Sequence, residues 1–261
     1  MPAPATRLFT FLIRGAAVAA LLFAPLHHVA GQQAAELVGP GHERLSLPDF
    51  EAYEVEYTSA SGRFLNQVRP FQLDGVAKIS ILNLIDMPSG VIVDHAVVDR
   101  ATLRQEYGAT PYFAWGMENI LLRATANELE IVRVPMGGGA PVVIEQEFDH
   151  GGYFEPLGFS PTYAALLPAD EGTVFQIARR QPVAGGSIRT DFADFVVLGM
   201  ETLETPAGLR CDCTILEERV EGGATHRYWV ARQAPFLFKR HRDIGGARDF
   251  VSEALSFRHV R

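Results

Sequence analysis

Cysteine is scarce in this chain: 2 residues among 261, both in "GLRCDCTIL", at Cys211 and Cys213. That scarcity excludes a disulfide-stapled scaffold, and it excludes a structural zinc site built on paired C-x2-4-C spacings. The six histidines after residue 31 are placed singly, so no spacing supports a metal site joining the two cysteines to His226 or His241, and no metal is expected. Signature loops are missing as well. There is no G-x-S-x-G for a nucleophile elbow and no G-x-G-x-x-G or G-x-x-x-x-G-K-[ST] to cradle phosphate. "MGGGAP" and "GPGHER" carry glycine without the spacing or the strand-to-helix setting, and they read as turns. No cofactor is expected.

Positive charge is also short. The formal net charge is −8, and the densest basic stretch, Lys239 to Asp243 in "FKRHRD", reads as a solvated strand end. Nucleic acid is therefore excluded as a partner, because a phosphate backbone needs a clustered positive surface.

No apolar run reaches the ~20 residues that span a bilayer. What is present is a leader: Arg7 and Arg14, an uncharged run from Gly15 to Leu26, and small residues at Val29-Ala30-Gly31. We read residues 1–31 as a secretory signal cut near Gly31. A membrane anchor is the competing reading; the length of the run and its separation by Arg14 count against it. With no cysteine after the run there is no acceptor for an acyl anchor, so the mature chain is expected free in the periplasm or secreted. Removing two arginines and no acid takes the net charge to −10.

After a lead-in over residues 32–48, expected to be extended or disordered, the chain breaks into short alternating segments separated by turn signals. "EAYEVEYTS" sets Tyr53, Val55 and Tyr57 against Glu54 and Glu56. Ten more such segments follow, from "GVAKISILNLID" and "GVIVDHAVVD" through "NELEIVRVPM", "APVVIEQEF", "TVFQIARR", "DFVVLGMETLE", "GLRCDCTILEERV", "THRYWVARQ" and "PFLFKRHRDI" to "RDFVSEALSFRHV". "PYFAWGMENILLRATA" suits a strand or a short helix. "PTYAALLPA", Pro161 to Ala169, suits a helical turn or two, opened and closed by proline. Gly222-Gly223 suits a tight hairpin. The expected fold is mainly β over residues 49–261 as one domain: a single strongly curved antiparallel sheet, a half-barrel or open barrel, with one short helix packed against it.

Within "GLRCDCTILEERV", Leu209, Cys211, Cys213 and Ile215 share one face of a strand, because side chains two residues apart point the same way. Their Cα atoms would lie ~6.6 Å apart, at the long end of disulfide geometry. A strained bridge, two buried thiols and a dithiol redox centre all stay open. Carboxylates gather in "EQEFDHGGYFEP", with Glu145, Glu147, Asp149, His150 and Glu155, and in "IDMPSGVIVDH", with Asp86, Asp94 and His95. Paired carboxylates ~5–10 Å apart serve glycoside hydrolysis. Alternation explains Glu145 and Glu147 equally well as the wet face of a strand. Aromatics cluster at Tyr112, Phe113 and Trp115, and again at Tyr228, Trp229, Phe236 and Phe238 around "RQAP". They suit core filling or an apolar surface for a lipid-like ligand.

The order of "VVDRATLRQEYGATPY", "ELEIVRVP", "FEPLGFSPTYAALLPADEGTVFQI", "VLGMETLETPAGLRCDCTILE" and "HRYWVARQAPFLFKRHRDIG" resembles a widespread family of secreted bacterial domains of unknown function. Its marks here are the turn from Thr205 to Gly208, the strand from Cys211 to Ile215, the Trp strand from Tyr228 to Ala231 and the segment from Ala234 to Lys239. The resemblance implies a curved sheet related to the periplasmic lipoprotein-carrier fold, whose hollow holds acyl chains, and it carries over no catalytic residue. Cys213 and the longer "FADFVVLGMETLE" depart from the pattern.

The expected function is a non-enzymatic extracytoplasmic protein that binds a lipid-like ligand or an envelope partner, with Tyr112, Phe113, Trp115, Trp229 and Phe236 as lining candidates. A glycan or ester hydrolase using carboxylates at residues 145–155 is one alternative, and a structural or assembly protein pairing through an edge strand is another.

Overall fold

Alternation of the kind seen in "YEVEYTS" runs through most of the molecule, and the fold follows from it. A computed structural model describes residues 35–38, 42, 45–59, 62–87, 90–111, 119–124, 128–135, 138–147, 166, 170–182, 188–220, 224–247 and 249–260. The first strand, β1 (Glu36–Val38), is short. One meander then runs through β2 (Tyr53–Ser59), β3 (Gly62–Leu73), β4 (Val76–Met87), β5 (Gly90–Asp99), β6 (Gln105–Pro111), β7 (Asn119–Ala124), β8 (Glu128–Val134) and β9 (Val142–Glu147). A second runs through β10 (Val174–Pro182), β11 (Ile188–Glu204), β12 (Arg210–Val220), β13 (Thr225–Val230), β14 (Leu237–Arg242) and β15 (Phe250–His259).

All of these strands join one sheet in the order β1-β10-β11-β12-β13-β14-β15-β2-β3-β4-β5-β6-β7-β8-β9. Only the β1–β10 pair is parallel. The two meanders are stitched together where β15, the last strand, pairs with β2. The sheet is not closed; β1 and β9 are its edges among the described residues. No helix among them is long and apolar enough to cross a membrane.

The mainly β expectation holds, with more strands than the alternation gave. β3 is an addition, and Asp74 and Gly75 form its hairpin to β4 with φ of 52° and 78°, the left-handed pair that a tight turn of this kind requires. β1 and β6 are further additions. Residues 119–124 of the ambiguous aromatic segment form β7, a strand. The short helix expected over Pro161–Ala169 lies outside the described residues apart from Leu166, which is fully buried in the core.

The main core sits on one face of the sheet. Tyr53, Val55 and Tyr57 of β2 meet Val68 of β3, Ile79 and Ile81 of β4, Phe175 and Ile177 of β10, Phe195 and Val197 of β11, and Leu216 of β12 there. A smaller cluster of Leu203, Cys211, Cys213, Trp229, Ala231 and Phe238 forms on the other face. A β-bulge brings Leu203 into it. Up to Val197, odd-numbered residues of β11 pair with even-numbered residues of β12; from Gly199 onward odd pairs with odd, as Glu201 with Cys213 and Leu203 with Cys211. Gly199 has φ of 132°, a conformation open to glycine and strained for other residues. The bulge therefore moves Leu203 off the core side and onto the side of the thiols.

Candidate functional site

The core face opens where β15 meets β2. Phe257 pairs with Val55 and His259 with Tyr53. Phe50 and its neighbours Asp49 and Glu51 lead into β2, and the turn from β13 to β14 brings up Arg232, Gln233 and Ala234 from the other side. Together they line an open cleft of about 610 Å³, within the ~300–1,000 Å³ range of small-molecule sites.

Its floor is aromatic and continuous with the core. Phe50 packs edge-on against Phe236, with ring centroids 5.4 Å apart, and against Tyr53 at 5.9 Å; Tyr53 in turn lies 5.8 Å from Phe257. The turn forming the far wall is held by bonds from Ala231 N to Phe236 O and from Phe236 N to Gln233 O, both 2.8 Å. Tyr53 Oη donates to the Pro235 carbonyl at 3.3 Å and Tyr57 Oη to the Leu237 carbonyl at 2.7 Å. Burial raises the pKa of both phenols, so they remain donors at neutral pH.

Acids and bases around the cleft are mostly matched. Arg100 Nη2 meets Asp49 Oδ1 at 2.6 Å while its guanidinium lies over the Phe50 ring at 5.5 Å. Glu51 Oε2 is 3.6 Å from His259 Nδ1. Arg232 is exposed and makes no hydrogen bond or ion pair among the described residues.

Behind the Arg232 wall, on the opposite face, lie the two cysteines. Both are free thiols. Gln233 Nε2 donates to Cys211 Sγ at 3.1 Å, tying the cleft wall to the thiol pair. Burial pushes the Cys213 thiol up to about 12, with neighbouring Cys211, Glu201 and Asp212 adding to the effect. Burial raises Cys211 as well, against a lowering contribution from its hydrogen bonds to Cys213 and Gln233. Neither carries the thiolate that nucleophilic or redox chemistry uses at neutral pH. Trp229 belongs to this cluster: its Nε1 donates to Glu201 Oε2 at 2.7 Å, and Lys239 Nζ sits 4.9 Å over its ring while pairing with Glu253 at 2.9 Å.

The lining candidates thus separate. Trp229 lies in the cluster with the thiols and Phe236 in the main core beneath the cleft, on the other face. Tyr112, Phe113 and Trp115 lie outside the described residues. Among the carboxylate candidates, Glu145 is exposed on β9 opposite Glu130. Glu147 ends β9 with its side chain undescribed, and Asp149, His150 and Glu155 lie outside the described residues. Asp86 is exposed. Asp94 is buried on the core face, where Asn83 Nδ2 donates to it at 3.0 Å. Its neighbour His95 points the opposite way and meets Ser80 Oγ at 3.0 Å, so the two do not converge.

Sequence reasoning missed a buried polar set on the core face of β12–β14. Tyr228 Oη donates to Glu218 Oε2 in a short bond, Arg240 lies over the Tyr228 ring at 5.3 Å, and His226 approaches its edge at 6.5 Å. Burial lowers the His226 pKa, with Arg240 and Arg242 adding to the effect against Glu218 and Asp243. The only local signal was "LEER", where two adjacent glutamates in a strand must place one on the core side. Asp49, Glu51 and His259 were missed for another reason: they meet only because β2 and β15 pair across almost the full length of the chain. Among the described residues no group of three or more His, Cys, Asp or Glu is placed to hold a metal ion.

No family model, no curated protein and no solved structure matches this chain.

Proposed function

We propose that the protein is a non-enzymatic, extracytoplasmic binding protein that takes a lipid-like ligand in the cleft between β2, β15 and the β13–β14 turn. The observation carrying this reading is the aromatic floor. Phe50 and Phe257 present rings to a cleft of about 610 Å³ and rest on Tyr53 and Phe236, each 2 % exposed. An apolar ligand segment placed there completes packing that the core has begun. Tyr57 reaches from β2 past β15 to the Leu237 carbonyl, which supports a sheet bent around this face, as in the carrier-like family that the sequence resembles.

The test is binding of a fluorescent fatty-acid probe to the delipidated full chain, with native mass spectrometry of protein from its own host. Phe257→Ala is expected to weaken the probe roughly tenfold, the worth of one large aromatic contact. A wild-type chain that binds no amphiphile and carries no co-purifying lipid would sink the reading.

A second reading, assembly by strand addition, is favoured by one observation. β9 pairs only with β8 among the described residues, and Val142 and Val143 are 47 % and 54 % exposed. Light scattering across a concentration series tests it: a concentration-dependent oligomer abolished by Val143→Lys supports edge pairing, and a monomer throughout removes it.

A further inference from the structure

Charge is unequally matched in the cleft proposed above as the binding seat, and the selectivity inferred from it rests on that reading. Asp49 is held by Arg100 at 2.6 Å and Glu51 faces His259 at 3.6 Å. Arg232, on the facing wall, is exposed and has no partner among the described residues. The cleft thus has an apolar floor and a rim bearing one uncommitted guanidinium. A guanidinium is planar, permanently charged and weakly hydrated, and its donor fork matches a carboxylate with two parallel bonds.

We infer that the cleft selects single-chain amphiphiles ending in a carboxylate. Arg232 holds the head group, and Phe50 and Phe257 take the chain next to it. The opposite wall sets the charge of that head group. A phosphate monoester carries about −1.5 to −2 at neutral pH and would face the carboxylates of Asp49 and Glu51 across the cleft, whereas a monoanion is offset by Arg232 alone. A neutral alcohol gains the aromatic floor but leaves the guanidinium in water. The volume of about 610 Å³ suits one chain rather than a two-chain lipid.

The experiment compares dodecanoate, dodecan-1-ol and dodecyl phosphate on the full chain and on Arg232→Glu and Arg232→Lys, by displacement of a fluorescent amphiphile at fixed ionic strength. Wild type is expected to prefer dodecanoate over the alcohol by about tenfold, the worth of a charge-assisted hydrogen bond. Arg232→Glu is expected to abolish that preference while leaving alcohol affinity within about twofold, because it changes the head-group contact and not the floor. Arg232→Lys is expected to keep part of it, since an ammonium supplies the charge without the fork. Circular dichroism checks that this exposed substitution leaves the fold intact.

Equal binding of dodecanoate and dodecanol by wild type, or a preference that survives Arg232→Glu, overturns the head-group assignment and leaves the cleft as the binding seat. Tighter binding of dodecyl phosphate than of dodecanoate overturns the choice of carboxylate. Failure of all three to bind removes the binding reading itself, and this inference with it.

Discussion

Lys78 on β4 stands directly opposite Asp99 on β5, and its Nζ donates to Asp99 Oδ2 at 2.9 Å. The same ammonium reaches Glu106 Oε1 at 2.6 Å. At 7 % exposure Lys78 is sequestered, and the two carboxylates compensate its charge. Lys78→Ala is therefore expected to destabilise the fold by about 2 kcal/mol, less than a fully sequestered pair costs because Glu106 is half-exposed and screened. A urea titration reads this as a lower midpoint at unchanged slope. A midpoint equal to wild type would mean that the network contributes nothing.

The same contact fixes a pH dependence. Burial alone would raise the Asp99 carboxyl, but hydrogen bonds from Thr102 and Lys78 outweigh it and hold the pKa below the usual value. Its stabilising contribution is present above the unfolded carboxylate value of ~3.9 and is lost as pH falls through the lower folded value. For Lys78, burial lowers the pKa and the hydrogen bonds to Glu106 and Asp99 more than reverse this, so the net shift is upward. Its contribution is present below the unfolded value of ~10.4 and is lost as pH rises through the higher folded one. The stability difference between wild type and Lys78→Ala should be largest between about pH 5 and 10 and shrink at both ends. A difference that stays flat from pH 2 to 11 contradicts the assignment.

Two-residue alternation made most of this fold legible, because a strand with one buried face writes its pattern locally. Tyr53, Val55 and Tyr57 fall on the core side as "YEVEYTS" requires. β3 escaped because Pro70 interrupts "GRFLNQVRPFQL", and proline argues against a sheet interior. The structure places Pro70 beyond Val68, where pairing with β2 has ended. Asp74-Gly75 is a hairpin signal that the alternation alone does not carry. Alternation puts Cys211 and Cys213 on one apolar face but does not say which face of the sheet that is: Leu216 and Tyr228 in the main core set the thiols on the opposite side, and the bulge at Gly199 turns Leu203 to join them. The cleft was least legible of all, since it needs Phe50 and Phe257, 207 positions apart in the sequence, and no local pattern encodes that meeting.

The thiols offer a check on burial that is independent of stability. With Cys213 pushed up to about 12 by burial and Cys211 raised less, both are protonated at pH 8. Folded protein treated with iodoacetamide at that pH should label slowly, at Cys211 before Cys213, which is fully buried. Both should label at once in denaturant. Intact mass and peptide mapping follow the order. Rapid labelling of Cys213 in the folded chain would show that the small cluster is open.

Gly199 links the two faces, and its substitution tests that link. A Cβ added there would meet only the Glu171 carboxylate, at 3.7 Å and 3.9 Å, so space is not the obstacle. The obstacle is φ of 132°, which costs a residue with a Cβ about 1–3 kcal/mol. Gly199→Ala can keep the bulge and bear that strain, or relax it by letting β11 slip against β12. A slip by one residue returns Leu203 to the core side and takes its cover from Cys211 and Cys213. Because strain and slippage both favour opening of this pairing, Gly199→Ala is expected to lower the urea midpoint and to speed thiol labelling together. Labelling unchanged beside a lowered midpoint would mean that the bulge is merely strained, and that the thiols owe their cover to other contacts.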